Sequence, residues 1–170
     1  MQTDEISILV LGGSGQVGTA LVRQQWPSSV RLSAPSRALL DISDEAALAS
    51  VMGRRKWSCV INCAAYTAVD TAESDPEAAW LSNAVGPALL ANAAAKAGTP
   101  ILHLSTDYVF DGTTSHAYRS SDPVRPLTVY GQSKAAGEVG VRDTNPRHVI
   151  LRTSWVVSPF GKNFVKTMLH

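Results

Sequence analysis

The sequence predicts an α/β fold, a doubly wound parallel sheet with helices on both faces. Three observations predict it. Short apolar runs alternate with longer helical patterns along the chain, as when each strand crosses over to the next through a helix. The strand-like runs are apolar on both sides, which suits strands covered by helices above and below. The chain has 170 residues, enough for one domain with its own core and too few for two large ones.

Taken in order, Ile6 to Leu11 is an apolar strand broken only by Ser7, and Gln16 to Gln25 reads as the first helix. Val30 to Ser33 is a weak second strand. Ser43 to Arg54 reads as a helix with Ser43 as its N-cap, before Asp44 and Glu45. Cys59 to Ala64 is the third strand. Ser74-Asp75-Pro76-Glu77 opens a long Ala-rich helix that stops near Gly98, with Pro87 expected to kink or split it. Ile101 to Ser105 is a strand, Tyr130 to Arg142 a helix and Val149 to Trp155 a further strand. The stretch from Asp111 to Pro126 is a long loop directly after a strand. In such sheets ligands bind at the carboxyl ends of the strands, and a loop of this length there is functional more often than spare.

Composition narrows the function. Hydrophobic residues make up 45% and charged residues 17% of the chain, which argues against disorder. The net charge is +1, and no basic stripe points to nucleic acid. Arg54, Arg55 and Lys56 fall at a helix end, where cations suit the dipole. Cys59 and Cys63 lie about 13 Å apart if their run is a strand, too far to bridge. They read as buried small hydrophobes in a reducing compartment. No His or Cys cluster has metal-ligand spacing, so no metal is expected. Residues 1–5 carry no signal-peptide pattern and no stretch reaches membrane-spanning length. The expectation is a cytoplasmic protein, not a membrane one, with a homodimer left open.

Gly12-Gly13-Ser14-Gly15-Gln16-Val17-Gly18 follows the first strand and opens the first helix. It fits G-x-x-G-x-x-G through Gly12, Gly15 and Gly18, and G-x-G-x-x-G through Gly13, Gly15 and Gly18. Glycine allows the tight turn, the approach of backbone to a pyrophosphate and close helix–strand packing. The helix N-terminus adds free N–H groups and a favourable dipole. Alone the motif is weak, and a plain strand–helix turn also explains it. Its place between strand and helix favours a Rossmann-type dinucleotide site. No acid stands at the end of the second strand to read a ribose, as NAD would ask. Ser33-Ala34-Pro35-Ser36-Arg37 stands there instead, which leans to NADPH over NADH with Arg37 near the 2′-phosphate. A solvated loop arginine is the competing reading.

Tyr130-Gly131-Gln132-Ser133-Lys134 places a phenol and an ammonium four apart, on one helix face. A cation there is expected to lower the phenol pKa and make Tyr130 a proton donor. The preceding strand ends in Ser105-Thr106-Asp107-Tyr108, which offers a hydroxyl to a substrate carbonyl. Glycine turn, strand-end hydroxyl and Tyr/Lys pair occur in the order of the extended short-chain dehydrogenase/reductase family, which the sequence resembles along its whole length. Four blocks narrow this resemblance: Val60 to Glu73, Ser105 to Gly112, Val129 to Glu138, and Arg152 to Trp155. They look like the corresponding blocks of the dTDP-4-dehydrorhamnose reductase family.

The resemblance implies an oxidoreductase that reduces the 4-keto group of a nucleotide sugar, dTDP-4-dehydro-L-rhamnose, with NAD(P)H. It implies Tyr130 as catalytic acid, Lys134 as holder of the nicotinamide ribose and tuner of Tyr130, and Thr106 on the substrate oxygen with Asp107 beside it. It implies Gly15, Gln16 and Val17 on the pyrophosphate, Asp41 and Ile42 facing the adenine, and Ala65, Tyr66 and Thr67 lining the cofactor. Trp155 is implied to lie towards the nucleotide sugar. Family members continue past the position of His170 into a smaller substrate-binding region. The resemblance therefore casts residues 1–170 as the NAD(P)-binding domain and leaves open its activity alone.

Two rivals remain: another nucleotide-sugar enzyme of this fold, an epimerase or 4,6-dehydratase, or a non-catalytic cofactor-binding regulatory subunit. A dehydratase would carry Glu after Asp107, where Tyr108 stands. Other polar residues are read plainly. His103 is taken as a satisfied core histidine, Asn83 as a helix-surface residue, His116 as a loop residue, and Asp70 and Glu73 as capping or solvated. Trp26, Trp57 and Trp80 are taken as packing residues.

Overall fold

The computed structural model describes residues 5–169, so the reading of residues 1–4 lies outside it. Five strands form one parallel sheet in the order β2-β1-β3-β4-β5. They are β1 (Ile6–Leu11), β2 (Val30–Ser33), β3 (Cys59–Asn62), β4 (Ile101–Thr106) and β5 (His148–Thr153). The chain moves outward from β1 to β2, then returns past β1 to β3. The direction of winding thus reverses between β1 and β3, where sheets of this kind bind ligands.

The helices are α1 (Gln16–Arg23), α2 (Glu45–Gly53), α3 (Val69–Ala72), α4 (Pro76–Trp80), α5 (Gly86–Lys96), α6 (Val129–Thr144) and α7 (Phe164–Leu169). Right-handed crossovers put α1 on one face and α2, α5 and α6 on the other. The latter three pack side by side. The main core lies between them and the sheet and contains Leu9, Leu11, Leu48, Leu90, Ile101 and Val141. Burying one such leucine contributes about 1.5–3 kcal/mol.

The predicted elements recur with shifted ends, α1 and β3 shorter and β4 and α6 longer, and several details differ. The cap of α2 is Asp44, which accepts from the Ala47 N–H, rather than Ser43. Ser43 spends both its N–H and its hydroxyl on Asp41 Oδ1. The Ala-rich helix starts as expected, with Asp75 accepting from the Ala78 N–H and Pro76 in the first turn. It carries a π-helical turn at Leu81–Val85, just before Pro87, whose missing N–H relaxes the bonding pattern there. Gly98 ends it at φ +64°. β5 is not covered on both sides: Val149 and Leu151 are exposed at the sheet edge. Among the tryptophans only Trp57 is buried, while Trp26 and Trp80 are partly exposed. No described helix is long and apolar enough to cross a membrane.

Candidate active site

A groove follows the carboxyl ends of the strands. At its first end, Leu11 runs directly into the glycine turn. Gly12 takes φ +76°, and a Cβ on it would lie 2.5 Å from the Ala64 nitrogen, so only glycine lets β1 and β3 close up here. A Cβ on Gly18 would lie 2.1 Å from the Gly12 carbonyl oxygen, which fixes how tightly α1 can follow the turn. Helix α1 has no side-chain cap and no acid in its first turn. Its N–H groups and dipole therefore face the groove unopposed. Gly12, Gly13, Ser14, Pro35, Arg37 and Ile42 are among the residues lining this end, a cavity of about 210 Å³.

Ser14, Gly15, Cys63 and Ala65 line both this cavity and a second one of about 420 Å³. The two are halves of one groove. The second half is lined by Gln16, Val17, Thr67, Ser105, Tyr130 and Lys134, among others. The glycine turn and the Tyr/Lys pair, 112 or more residues apart in sequence, thus share one cleft.

Tyr130 and Lys134 are fixed by the start of α6. Thr128 accepts from the Gly131 N–H, and Glu73 reaches across to accept from the Val129 N–H. Glu73 is thus a cap, although of a helix far along the chain. Tyr130 packs on Ala72 and Ala79, and its ring meets that of Tyr108 edge-on at 5.5 Å. Burial pushes its phenol pKa up, a hydrogen bond with Thr106 pulls it down, and the charge of Asp107 raises it further. The expected lowering is therefore corrected: the phenol titrates above its ordinary value and stays protonated.

Lys134 is almost completely buried. Its Nζ donates to the Leu104 carbonyl at 2.6 Å and lies 3.5 Å from His103 Nε2. Burial lowers its pKa from 10.5 to about 8, against the opposing pull of Glu138 and Cys63. One turn further along, burial pushes Glu138 up, but hydrogen bonds from Arg152 and Ser105 bring it below its ordinary value. Arg152 forks onto Glu138 at 2.8 and 2.6 Å and also reaches the Ser120 carbonyl. This pair, with Glu138 buried and Arg152 half-buried, ties α6, β4, β5 and the long loop together.

Thr106 closes β4. Its hydroxyl donates to Asp107 Oδ1 at 3.1 Å and accepts from the Tyr108 N–H. Asp107 also accepts from the Ser154 hydroxyl at 2.6 Å. With Tyr108, Phe110, Leu127 and Thr128 it lines a separate cleft of about 300 Å³ under the long loop. Phe110 and Tyr118 stack there with centroids 4.2 Å apart.

The remaining predicted residues divide. Ile42, Ala65 and Thr67 line the groove. Gly18 packs beneath it. Asp41 faces Arg37 and Ser43, and these hydrogen bonds lower its pKa from 3.8 to about 2. The Arg37 guanidinium rests on Asp41 at 2.8 Å, with most of the side chain in solvent. Gln16 accepts from Asn163. Tyr66 does not line the groove; its side chain packs in the cluster around Tyr130. Trp155 is 73% exposed, at φ +50°, and lies edge-on to Phe164. Cys63 lines both halves, with burial raising its thiol to about 11. Both cysteines are free. Among the described residues no cluster has the makings of a metal site.

The reading of Asn83 as a surface residue is overturned. It is fully buried. It accepts from the Tyr66 N–H at 2.8 Å and donates to the Tyr66 carbonyl and the Ser133 hydroxyl. It thereby joins the loop after β3 to α6. Asn62, Glu138 and Arg152 were also missed as site residues. Only the polarity of Asn83 within an Ala-rich run hinted at its role.

A groove at the winding reversal, with the glycine turn at one end and a phenol and an amine at the other, is the arrangement of a Rossmann-type nucleotide-binding fold. The model of the family described as "RmlD substrate binding domain" matches residues 6–170, and the chain belongs to this family. It is 45% identical over 163 residues to a dTDP-4-dehydrorhamnose reductase of Sinorhizobium fredii, covering 96% of this chain and 55% of that protein. It is similar to a crystal structure of a dTDP-4-dehydrorhamnose reductase from Clostridium acetobutylicum, with TM-score 0.93 and 40% identity over 96% of this chain and 58% of that one. It is also similar to the Bacillus anthracis dTDP-4-dehydrorhamnose reductase in complex with NADP, with TM-score 0.94, 34% identity, 97% of this chain and 59% of that one. The chain spans a little over half the length of these relatives.

Proposed function

We propose that this chain is the cofactor-binding domain of a reductase that converts the 4-keto group of dTDP-4-dehydro-L-rhamnose to the alcohol, using NADPH. The observation that carries this reading is the shared groove, which runs unbroken from the glycine turn to Tyr130 and Lys134. The residues present fit such a cofactor. The uncapped α1 and the Gly12 turn would hold a diphosphate. Ile42 and Leu40 would flank an adenine, and Arg37 would meet a 2′-phosphate. Lys134 would hold the ribose next to the nicotinamide. The nicotinamide supplies the hydride when bound.

The chain's own residues supply the rest. Tyr130, kept protonated by burial, donates its proton to the oxygen that gains charge as the carbonyl is reduced. The Thr106 hydroxyl, whose hydrogen rests on Asp107, would turn it to the same oxygen. Lys134 brings positive charge to that end of the groove. Tyr108 stands where a dehydratase would carry Glu after Asp107, so the site lacks the second carboxyl of the Asp–Glu pair that elimination would use. A cytoplasmic location and a homodimer belong to this reading, checked by cell fractionation and light scattering.

The test is cofactor stoichiometry. The proposal expects NADPH to bind this chain more tightly than NADH. It expects one NADPH consumed per dTDP-4-dehydro-L-rhamnose reduced when this sequence stands within a protein of its relatives' length. Turnover without net NADPH consumption would overturn it.

A further inference from the structure

Lys134 meets two neighbours that ask different things of its amine. On one side it donates to the Leu104 carbonyl at 2.6 Å. On the other it faces His103 Nε2 at 3.5 Å. His103 lies in the middle of β4 and is fully buried. Its second ring nitrogen, Nδ1, is 3.0 Å from Asn62 Nδ2.

Asn62 cannot turn over. Its Oδ1 accepts from the Ala64 backbone N–H at 3.0 Å. A backbone N–H can only donate, so the reversed amide would set two donors face to face. Asn62 Nδ2 therefore donates to His103 Nδ1, which must be the accepting nitrogen of the ring. A neutral imidazole carries one hydrogen. Here that hydrogen is on Nε2, the nitrogen that faces Lys134.

We infer that His103 is a positioning residue for Lys134: its tautomer, fixed by Asn62 and the Ala64 N–H, presents a donor to the amine and turns the lysine's own hydrogens towards Leu104 and the groove. The other titratable groups acting on the amine are Glu138 on its own helix and Cys63 just after β3, and Tyr130 lines the same part of the groove. Glu138 and Cys63 favour the charged lysine, whereas the His103 N–H favours the neutral one. The same chain of contacts reaches the glycine turn, because Ala64 is the residue against which Gly12 closes. The consequence for catalysis rests on the proposed function; the tautomer does not.

Nitrogen-15 NMR of the imidazole rings in the unaltered chain tests it. The His103 ring is assigned by its loss in His103→Phe. It is expected to show a protonated Nε2 and an unprotonated Nδ1; a protonated Nδ1 would overturn the inference. Should His103→Phe not fold, Asn62→Ala provides the assignment, since His103 alone should then exchange between tautomers. Carbon-13 NMR of the lysine Cε atoms gives the second readout. The phenylalanine keeps the ring volume and lacks the donor, so the Lys134 titration should move up by about one pH unit. An unmoved titration would make His103 a packing residue only. If the tautomer holds and NADPH still does not bind, the proposed function fails and the role of His103 stands.

Discussion

The two ends of the groove are built from different materials. The glycine-turn end is mostly backbone: a left-handed Gly12, an uncapped helix and small residues that let chain approach chain. The Tyr130–Lys134 end is a web of side chains from β3, β4, β5, the π-helical turn and α6, in which buried Asn62, Asn83, His103 and Glu138 are joined by half-buried Arg152. At the first end a substitution acts by steric contact and stays local. At the second it leaves buried polar groups without partners, so its cost spreads through several elements.

This difference gives an ordered set of outcomes. On the proposed function, Tyr130→Phe within a protein of its relatives' length should lower NADPH-dependent turnover about 10²–10⁴-fold, with NADPH affinity kept, as measured by steady-state kinetics and fluorescence titration. Equal loss of binding would place the phenol's role at the glycine end as well. Glu138→Ala strands Arg152 and Ser105, and denaturant unfolding should show a loss of about 3–5 kcal/mol. Asn83→Ala removes three hydrogen bonds from a fully buried position, with an expected cost of about 1–3 kcal/mol. That variant should also weaken turnover more than NADPH binding, since it loosens the seat of Tyr130.

Lys134 offers a test by pH. Its folded pKa, about 8, is below the ordinary 10.5, so between these values the unfolded chain holds more protons. This group therefore makes stability rise with pH across that window. Cys63, raised from 9.0 to about 11, acts in the opposite sense. Comparison with Lys134→Met isolates the lysine: the variant's stability should lose the rising component when urea midpoints are measured from pH 8 to 10.5. The smallest effect belongs to the backbone end. Arg37 is largely in solvent, so Arg37→Ala should weaken NADPH binding only a few-fold, about 1 kcal/mol at most, and leave NADH unchanged.

The same contrast explains what could be read from the chain. The glycine turn, the Tyr130–Lys134 spacing and the strand-end Thr106 are local patterns, each set by a few consecutive residues. The order of elements and the Pro76 and Gly98 boundaries were legible for the same reason. Asn83 was not, because nothing within an Ala-rich helix says that its outer face is covered by α6 and the loop after β3. The direction of the Tyr130 shift was also hidden, since it depends on burial rather than on the neighbouring cation. Trp155 shows the converse: its place in a conspicuous block gave no hint that its ring would stand in solvent.

The most direct measurement is a crystal structure of this chain with NADPH. The account predicts the diphosphate over Gly12 to Gly15 and the nicotinamide between Lys134 and Tyr130, with the phenol turned into the groove. A dinucleotide seated elsewhere, or a Tyr130 ring pointing away from the nicotinamide, would contradict it.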